Sequence, residues 1–290
     1  MDWLTEHRLP VGAVIARAVA FLETHAQWLF DAVSDGLGTV IDATTDALLA
    51  VPAPVSVIAL AALAWALQRR VGIVVYTVLS LALVVNLGLW DETVETLVLV
   101  VFATLICVAL GVPLGIAAAH RPALNAALRP VLDLMQTIPT FVYLIPTLIL
   151  FGLGVVPGLI STVVFAIAAP VRLTALGVSE VPKPLLEAGE AFGCTPRQRL
   201  LRIELPHALP AIRAGVTQCI MLSLSMVVIA ALVGADGLGK PVVRALNTVN
   251  IEKGFEAGLA IVIVAILLDR LCRERRGGAV RLPGVVRRRA

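Results

Sequence analysis

Apolar residues run through this chain in long blocks parted by short polar stretches, without the strict alternation of exposed strands. Seven blocks approach the ~20 mostly apolar residues that a helix needs to cross a hydrocarbon layer ~30 Å thick. They are Val51–Leu67, Val71–Leu89, Thr93–Ala119, Val131–Leu153, Val155–Val178, Ala211–Gly234 and Phe255–Leu271, the first and last short, the third long enough to tilt or bend. The pattern predicts an all-α polytopic membrane protein with about seven membrane helices. The first fifty residues differ. Val11, Val14, Ile15, Ala18, Val19 and Leu22 recur at helical spacing while Arg17 and Glu23 interrupt the run, which predicts an amphipathic helix lying along the membrane surface. Asp31, Asp35, Asp42 and Asp46 would share one helical face, but Gly36 and Gly38 predict a break among them. Their bland meaning is a solvated acidic face.

Composition sharpens this division. With 59% hydrophobic and 15% charged residues and a mean hydropathy of +0.95, the chain is too apolar for a soluble globular domain, where apolar usage is ~45–50%. The expected organisation is an N-terminal extracytoplasmic or interfacial segment (1–50), two membrane helices (51–91), a main membrane domain (92–273) containing a cytoplasmic loop (180–210), and a basic tail (274–290). A net charge of +3 does not point to nucleic acid, because the basic residues are not interleaved with exposed aromatics. They fit a topology instead. Arg69 and Arg70, then Arg121 with Arg129, then Lys183, Arg197, Arg199 and Arg202, then Arg273, Arg275 and Arg276 fall on one side, and Asp91 and Glu92 on the other. By the positive-inside rule the first set is cytoplasmic, so the N-terminus is expected outside and the C-terminus inside. The Arg-rich end, Arg281 to Arg289, suits anionic lipid. Cys107, Cys194, Cys219 and Cys272 are far apart without metal or redox spacing and read as packing residues. The start, Met1 to His7, lacks the features of a cleavable signal.

The polar island between the fifth and sixth blocks has internal logic of its own. Pro184 suits the first turn of a helix beginning near Leu185. Glu187, Ala188, Gly189, Ala191 and Phe192 continue it, and Gly193 offers the positive φ that ends a helix sharply. Thr195-Pro196-Arg197-Gln198 then restarts one with a capping threonine, a first-turn proline and Gln three residues after the cap. Leu200, Leu201, Ile203 and Leu205 make this second helix partly apolar, and Pro206 and Pro210 are expected to close it before the next span. Two short angled helices with apolar knobs suit a protein groove.

The same island, Glu187-Ala188-Gly189 through Gly193 to Ile203-Glu204-Leu205-Pro206, resembles the EAA motif of ATP-binding-cassette importers, with Gly189 in place of the motif's second alanine. Asp133 to Tyr143, Phe192 to Gln198 and Leu222 to Ala230 further resemble the permease subunit of glycine betaine/proline importers, over roughly Trp90 to Arg273. That resemblance implies a type I importer membrane domain whose island docks on cytoplasmic ATPase subunits, which bind the ATP and Mg²⁺; no cofactor, metal or catalytic residue is implied on this chain. It gives Glu187 the part of polar anchor, Gly193 the turn, Ala188 and Gly189 the small docking surface, and Phe192, Ile203 and Leu205 the apolar one, with Pro206 fixing the exit. It also implies a second permease copy, an extracytoplasmic substrate-binding protein, and inward movement of a betaine-, choline- or proline-type solute.

For the translocation path the candidates are Gln136, Thr137, Pro139, Thr140, Tyr143, Ser223 and Ser225, polar groups or helix-interrupting prolines within spans. An alternative stays open: the hydroxyls satisfied against their own helices and Tyr143 packed between helices. Gly234 to Pro241 nearly spells a phosphate-binding loop, but Pro241 stands where that loop needs a Ser or Thr hydroxyl for Mg²⁺. An intramembrane enzyme is disfavoured because His7, His25, His120 and His207 lie outside the expected spans and neither H-E-x-x-H nor G-x-S-x-G occurs. An ion-coupled secondary transporter would show midplane charges and inverted repeats, which the chain does not.

Overall fold

A computed structural model describes residues 10–272, in which the regular elements are all helical. Helix α1 (Val11–Leu49) runs unbroken for 39 residues. Gly36 and Gly38, expected to end it, sit inside it. A helical glycine costs ~1 kcal/mol relative to alanine, and packing of the C-terminal half offsets that loss. Ile41 is buried there with Leu37 and Leu49 beside it, Phe30 meets Phe151 edge-on with ring centroids 5.2 Å apart, and Ser34 Oγ donates to the Phe151 carbonyl at 3.2 Å. Because the helix does not break, Asp31, Asp35, Asp42 and Asp46 do line one exposed face. The N-terminal half keeps Val14, Ile15, Phe21, Leu22 and Trp28 exposed.

A bend of 102° leads into α2 (Ala53–Gln68), on which α3 (Val71–Asn86) packs back. Each has 16 residues, about 24 Å of helix, so the two expected N-terminal spans are short for a full crossing. The long block becomes α4 (Trp90–His120), 31 residues with Pro113 inside. The next expected span, Val131–Leu153, is not one helix. It is divided between α5 (Pro122–Thr137) and α6 (Thr140–Phe151), which meet at 96°. Ile138 is extended (ψ 132°), as the residue before a proline prefers, and Pro139 has no N–H to give the Met135 carbonyl. Tyr143 supplies the missing donor: its hydroxyl reaches the Met135 carbonyl at 2.5 Å.

Helices α7 (Val155–Ala166) and α8 (Ala168–Ser179) form the following span together. They part at Ile167 because Pro170 cannot bond the Ala166 carbonyl. The island folds as α9 (Lys183–Ala191) and α10 (Pro196–Arg199). A π-helical turn, Leu200–Glu204, then leads directly into α11 (Leu205–Ala230). Pro206 and Pro210 therefore do not close a helix ahead of the span; 196–233 is continuous over 38 residues. Pro206 has no N–H to give the turn before it, and it falls just after the π turn, where the helical hydrogen-bond register changes. The Leu205 N–H reaches back five residues to the Leu200 carbonyl instead of four. After a short 3₁₀ turn (Ala231–Val233) come α12 (Gly239–Asn247) and α13 (Ile251–Cys272).

Among the described residues three helices are long and apolar enough to cross a membrane, or up to five if each bent pair counts as one, against the seven expected. The basic tail, with Arg273, Arg275, Arg276 and Arg281 to Arg289, and His7 near the start lie outside the described residues. In the centre of the bundle α8 packs between α4 and α11. A Cβ at Gly115 would lie 2.6 Å from the Val171 carbonyl oxygen, and one at Gly177 would lie 2.6 Å from Ala211 Cβ. Glycines thus let the backbones approach as small residues do between membrane helices. Leu99, Leu224, Val227, Leu238 and Val264 join α4, α11 and α13 in the largest apolar cluster, while Cys107 and Cys219 pack in a second one.

Candidate functional site

The island is built from local signals that all take the form their residues allow. Gly193, at φ 73°, ends α9: its N–H bonds the Glu190 carbonyl at 2.9 Å and the Cys194 N–H bonds the Gly189 carbonyl at 3.0 Å, the paired bonds of a Schellman cap. Two residues later the α10 cap is reciprocal. The Gln198 N–H donates to Thr195 Oγ1 at 3.3 Å, and the Thr195 N–H donates to Gln198 Oε1 at 2.9 Å. The result is a rigid corner.

The side chains divide into an outer and an inner set. Phe192 is 89% exposed, with Leu201 at 52% and Leu185 at 47%. Glu187, Ala188 and Pro206 are exposed as well. Ile203 turns inward instead: a Cβ at Gly189 would stand 2.5 Å from Ile203 Cδ1. The isoleucine tip fills the space an alanine methyl would occupy, so the departure of Gly189 from the resembled pattern has a packing partner. Leu205 is half-buried. Three large apolar side chains thus stand exposed on one short capped corner, the kind of knob that a protein groove can accept.

Glu204 has no assigned part in the sequence pattern, yet it is central to the geometry. It is buried, its side chain 4% exposed, between His120 and Arg199. The signal that could have found it is its position inside the Ile-x-Leu-Pro stretch, ahead of a long apolar run, with a histidine closing α4.

The candidates for the path are not gathered at one cavity. Tyr143 holds the α5–α6 elbow through Met135, and Thr137 Oγ1 donates to the Leu134 carbonyl at 3.4 Å, one turn back. Gln136 and Thr140 are half-buried and Pro139 is exposed at the same elbow. Ser223 is buried and donates to the Cys219 carbonyl at 2.9 Å; Ser225 is exposed and donates to the Met221 carbonyl at 3.0 Å. Two residues apart on a helix, the serines face nearly opposite ways, so within one copy of the chain they do not share a path. The stretch that resembles a phosphate loop is also accounted for by packing. Leu238 N–H donates to Thr96 Oγ1 at 2.8 Å, and Gly239 has no room for a Cβ beside the Val227 carbonyl. Gly237 lets the loop before α12 approach Thr96 of α4, and Gly239 lets α12 approach α11.

Comparison with known proteins agrees with this geometry. Residues 111–272 match the family model described as binding-protein-dependent transport system inner membrane component. The glycine betaine transport system permease protein OpuAB of Bacillus subtilis (strain 168) is 44% identical over 267 residues, covering 92% of this chain and 94% of that one. The glycine betaine/proline betaine transport system permease protein ProW of Escherichia coli (strain K12) is 41% identical over 263 residues, covering 91% and 74%. Among solved structures, an inward-facing MetNI methionine ABC transporter shares the fold, with a TM-score of 0.56 at 24% identity over 61% of this chain and 89% of that one. An all-helical bundle, a capped corner between two spans and relatives that match nine-tenths of its length make this chain a member of the binding-protein-dependent transport system inner membrane component family, the permease subunits of ABC importers.

Proposed function

We propose that the chain imports glycine betaine and related quaternary or proline-type osmoprotectants, with the island as the element that receives work from ATP. The observation that carries the mechanical half is the corner itself: capped on both sides and presenting Phe192, Leu201 and Leu185 outward. A rigid corner seated in an ATPase subunit passes on that subunit's closure as displacement, so nucleotide binding biases the bundle between two packings. Glu187 supplies a polar anchor beside the apolar ring. ATP and Mg²⁺ reside on the ATPase, which this chain only contacts.

The substrate half is supported by the OpuAB and ProW relatives. The family description, a binding-protein-dependent transport system, supports high-affinity capture by an extracytoplasmic binding protein, where aromatic faces would suit a trimethylammonium group. Two copies of the chain enclose the path, with the elbow at Gln136 to Tyr143 and the exposed Ser225 turned toward it. The basic residues Arg69, Arg70, Arg121, Arg129, Lys183, Arg197 and Arg202 support a cytoplasmic loop side, N-terminus outside and C-terminus inside. Competition for uptake tests the cargo: with the purified cognate binding protein, unlabelled glycine betaine, proline betaine, choline and carnitine should each displace radiolabelled glycine betaine. Displacement by an unrelated amino acid alone would assign another solute.

A further inference from the structure

Four side chains tie the island to the end of a membrane span. Glu204 lies on the π-helical turn where the island becomes α11. Its Oε1 accepts from Arg199 Nε at 3.0 Å, and its Oε2 lies 2.8 Å from His120 Nε2. Arg199 Nη1 continues to Glu190 Oε1 on α9 at 2.8 Å. His120 is the last residue of α4, and its Nδ1 faces the Ile116 carbonyl at 2.9 Å. One ring nitrogen thus faces the backbone of α4 itself and the other the carboxylate, which orients the ring between α4 and the island.

The strengths of these links are unequal. Glu190 is 61% exposed in its pair with Arg199, and a link of that kind is weak. Glu204 is enclosed, and a buried carboxylate pulled from Arg199 and His120 would be left unpaired where water cannot replace them. The π turn adds to this arrangement. One extra residue in a helical turn rotates the rest of the helix by about 100°, and Glu204 sits at that insertion, facing the end of α4. Along its length α4 is pressed onto α8 at Gly111 and Gly115. The caps and the Ile203 tip at Gly189 hold α9 to the corner, and Glu204 joins α10 and the π turn to the end of α4.

We infer that Glu204 is a positioning residue for energy coupling, which with His120 and Arg199 carries displacement of the island into α4. This rests on the island being the ATPase-docking element. Without the link the corner still docks, but the span beside the path does not follow it.

The experiment uses the complete transporter, with its ATPase subunits in proteoliposomes and the binding protein present, and reads glycine betaine imported per ATP hydrolysed. Glu204→Gln keeps the shape and removes the charge. It should retain the ATPase subunit on purification and keep hydrolysis near the unmodified rate, while import per ATP falls by about tenfold, the factor that ~1.4 kcal/mol of lost coupling corresponds to. His120→Ala should fall in the same direction, and His120→Arg, which restores a donor to Glu204, should recover most of the loss. A merely structural role predicts parallel loss of import and hydrolysis, with the ratio unchanged; that result, or an unchanged ratio in Glu204→Gln, overturns the inference. Absence of ATP-driven uptake by the unmodified complex overturns the docking interpretation and this inference with it, whereas active unmodified complex with unchanged variants overturns the role of Glu204 alone.

Discussion

The span α7–α8 and the island after it are adjacent in the chain and are held by opposite means. The most apolar stretch of the span is 61% buried, and the span is fitted by small residues: Gly158, Gly177 and the facing Gly115 and Gly215 leave room for little but backbone. The island buries little. It is held by a Schellman cap, a reciprocal threonine–glutamine cap and ion pairs around Glu204. In one region shape specifies the structure and any added atom is felt; in the other, hydrogen bonds set a corner whose outer surface is left for contact. A membrane gives apolar side chains no net gain from leaving lipid, so close packing has to hold the span, while water around the island makes capping groups effective.

This contrast can be broken most forcefully in the span. Gly115→Leu would push against the Val171 carbonyl and Thr174; overpacking costs ~1–3 kcal/mol, and contact with backbone puts this site at the upper end. The yield of monodisperse protein in detergent should collapse. A normal yield would mean that α4 and α8 separate more easily than their contact implies. Next in size is Phe192→Asp on the island. The permease should purify and melt as the unmodified protein does, yet retain its ATPase subunit at least ~30-fold more weakly, the loss typical of a central interface residue. Equal retention would exclude Phe192 from the contact. The smallest effect belongs to Gly189→Ala, where a gain of up to ~1 kcal/mol in helix propensity is opposed by the Ile203 tip. Adding Ile203→Val removes that tip, so the double variant should be more stable than either single one predicts, with a coupling of ~0.5–1 kcal/mol. Additive melting shifts would show that the two residues do not share the space.

Much of the island is legible in the sequence because its signals are local. Gly193, Thr195 and Gln198 act within a few residues of themselves, and the resembled spacing covers the same stretch. The spans are harder to read. Block lengths locate apolar segments but cannot show that Pro139 turns the chain through 96°, because prolines such as Pro113 and Pro210 remain inside continuous helices. The outcome depends on whether a side chain replaces the lost donor, as Tyr143 does for the Met135 carbonyl, and the proline itself does not announce that. The same limit explains Gly36 and Gly38, whose helix persists through contacts with residues over a hundred positions away. Glu204 is hidden for a related reason: its meaning comes from His120, 84 residues earlier.

Uptake of radiolabelled glycine betaine into proteoliposomes that hold the permease and its ATPase, with binding protein supplied outside, tests the central claim most directly. Accumulation is expected only when ATP is available on the island's side of the membrane, and it should be lost in Phe192→Asp despite intact permease. Accumulation driven by an ion gradient without ATP, or undiminished in Phe192→Asp, would contradict a permease driven through its island.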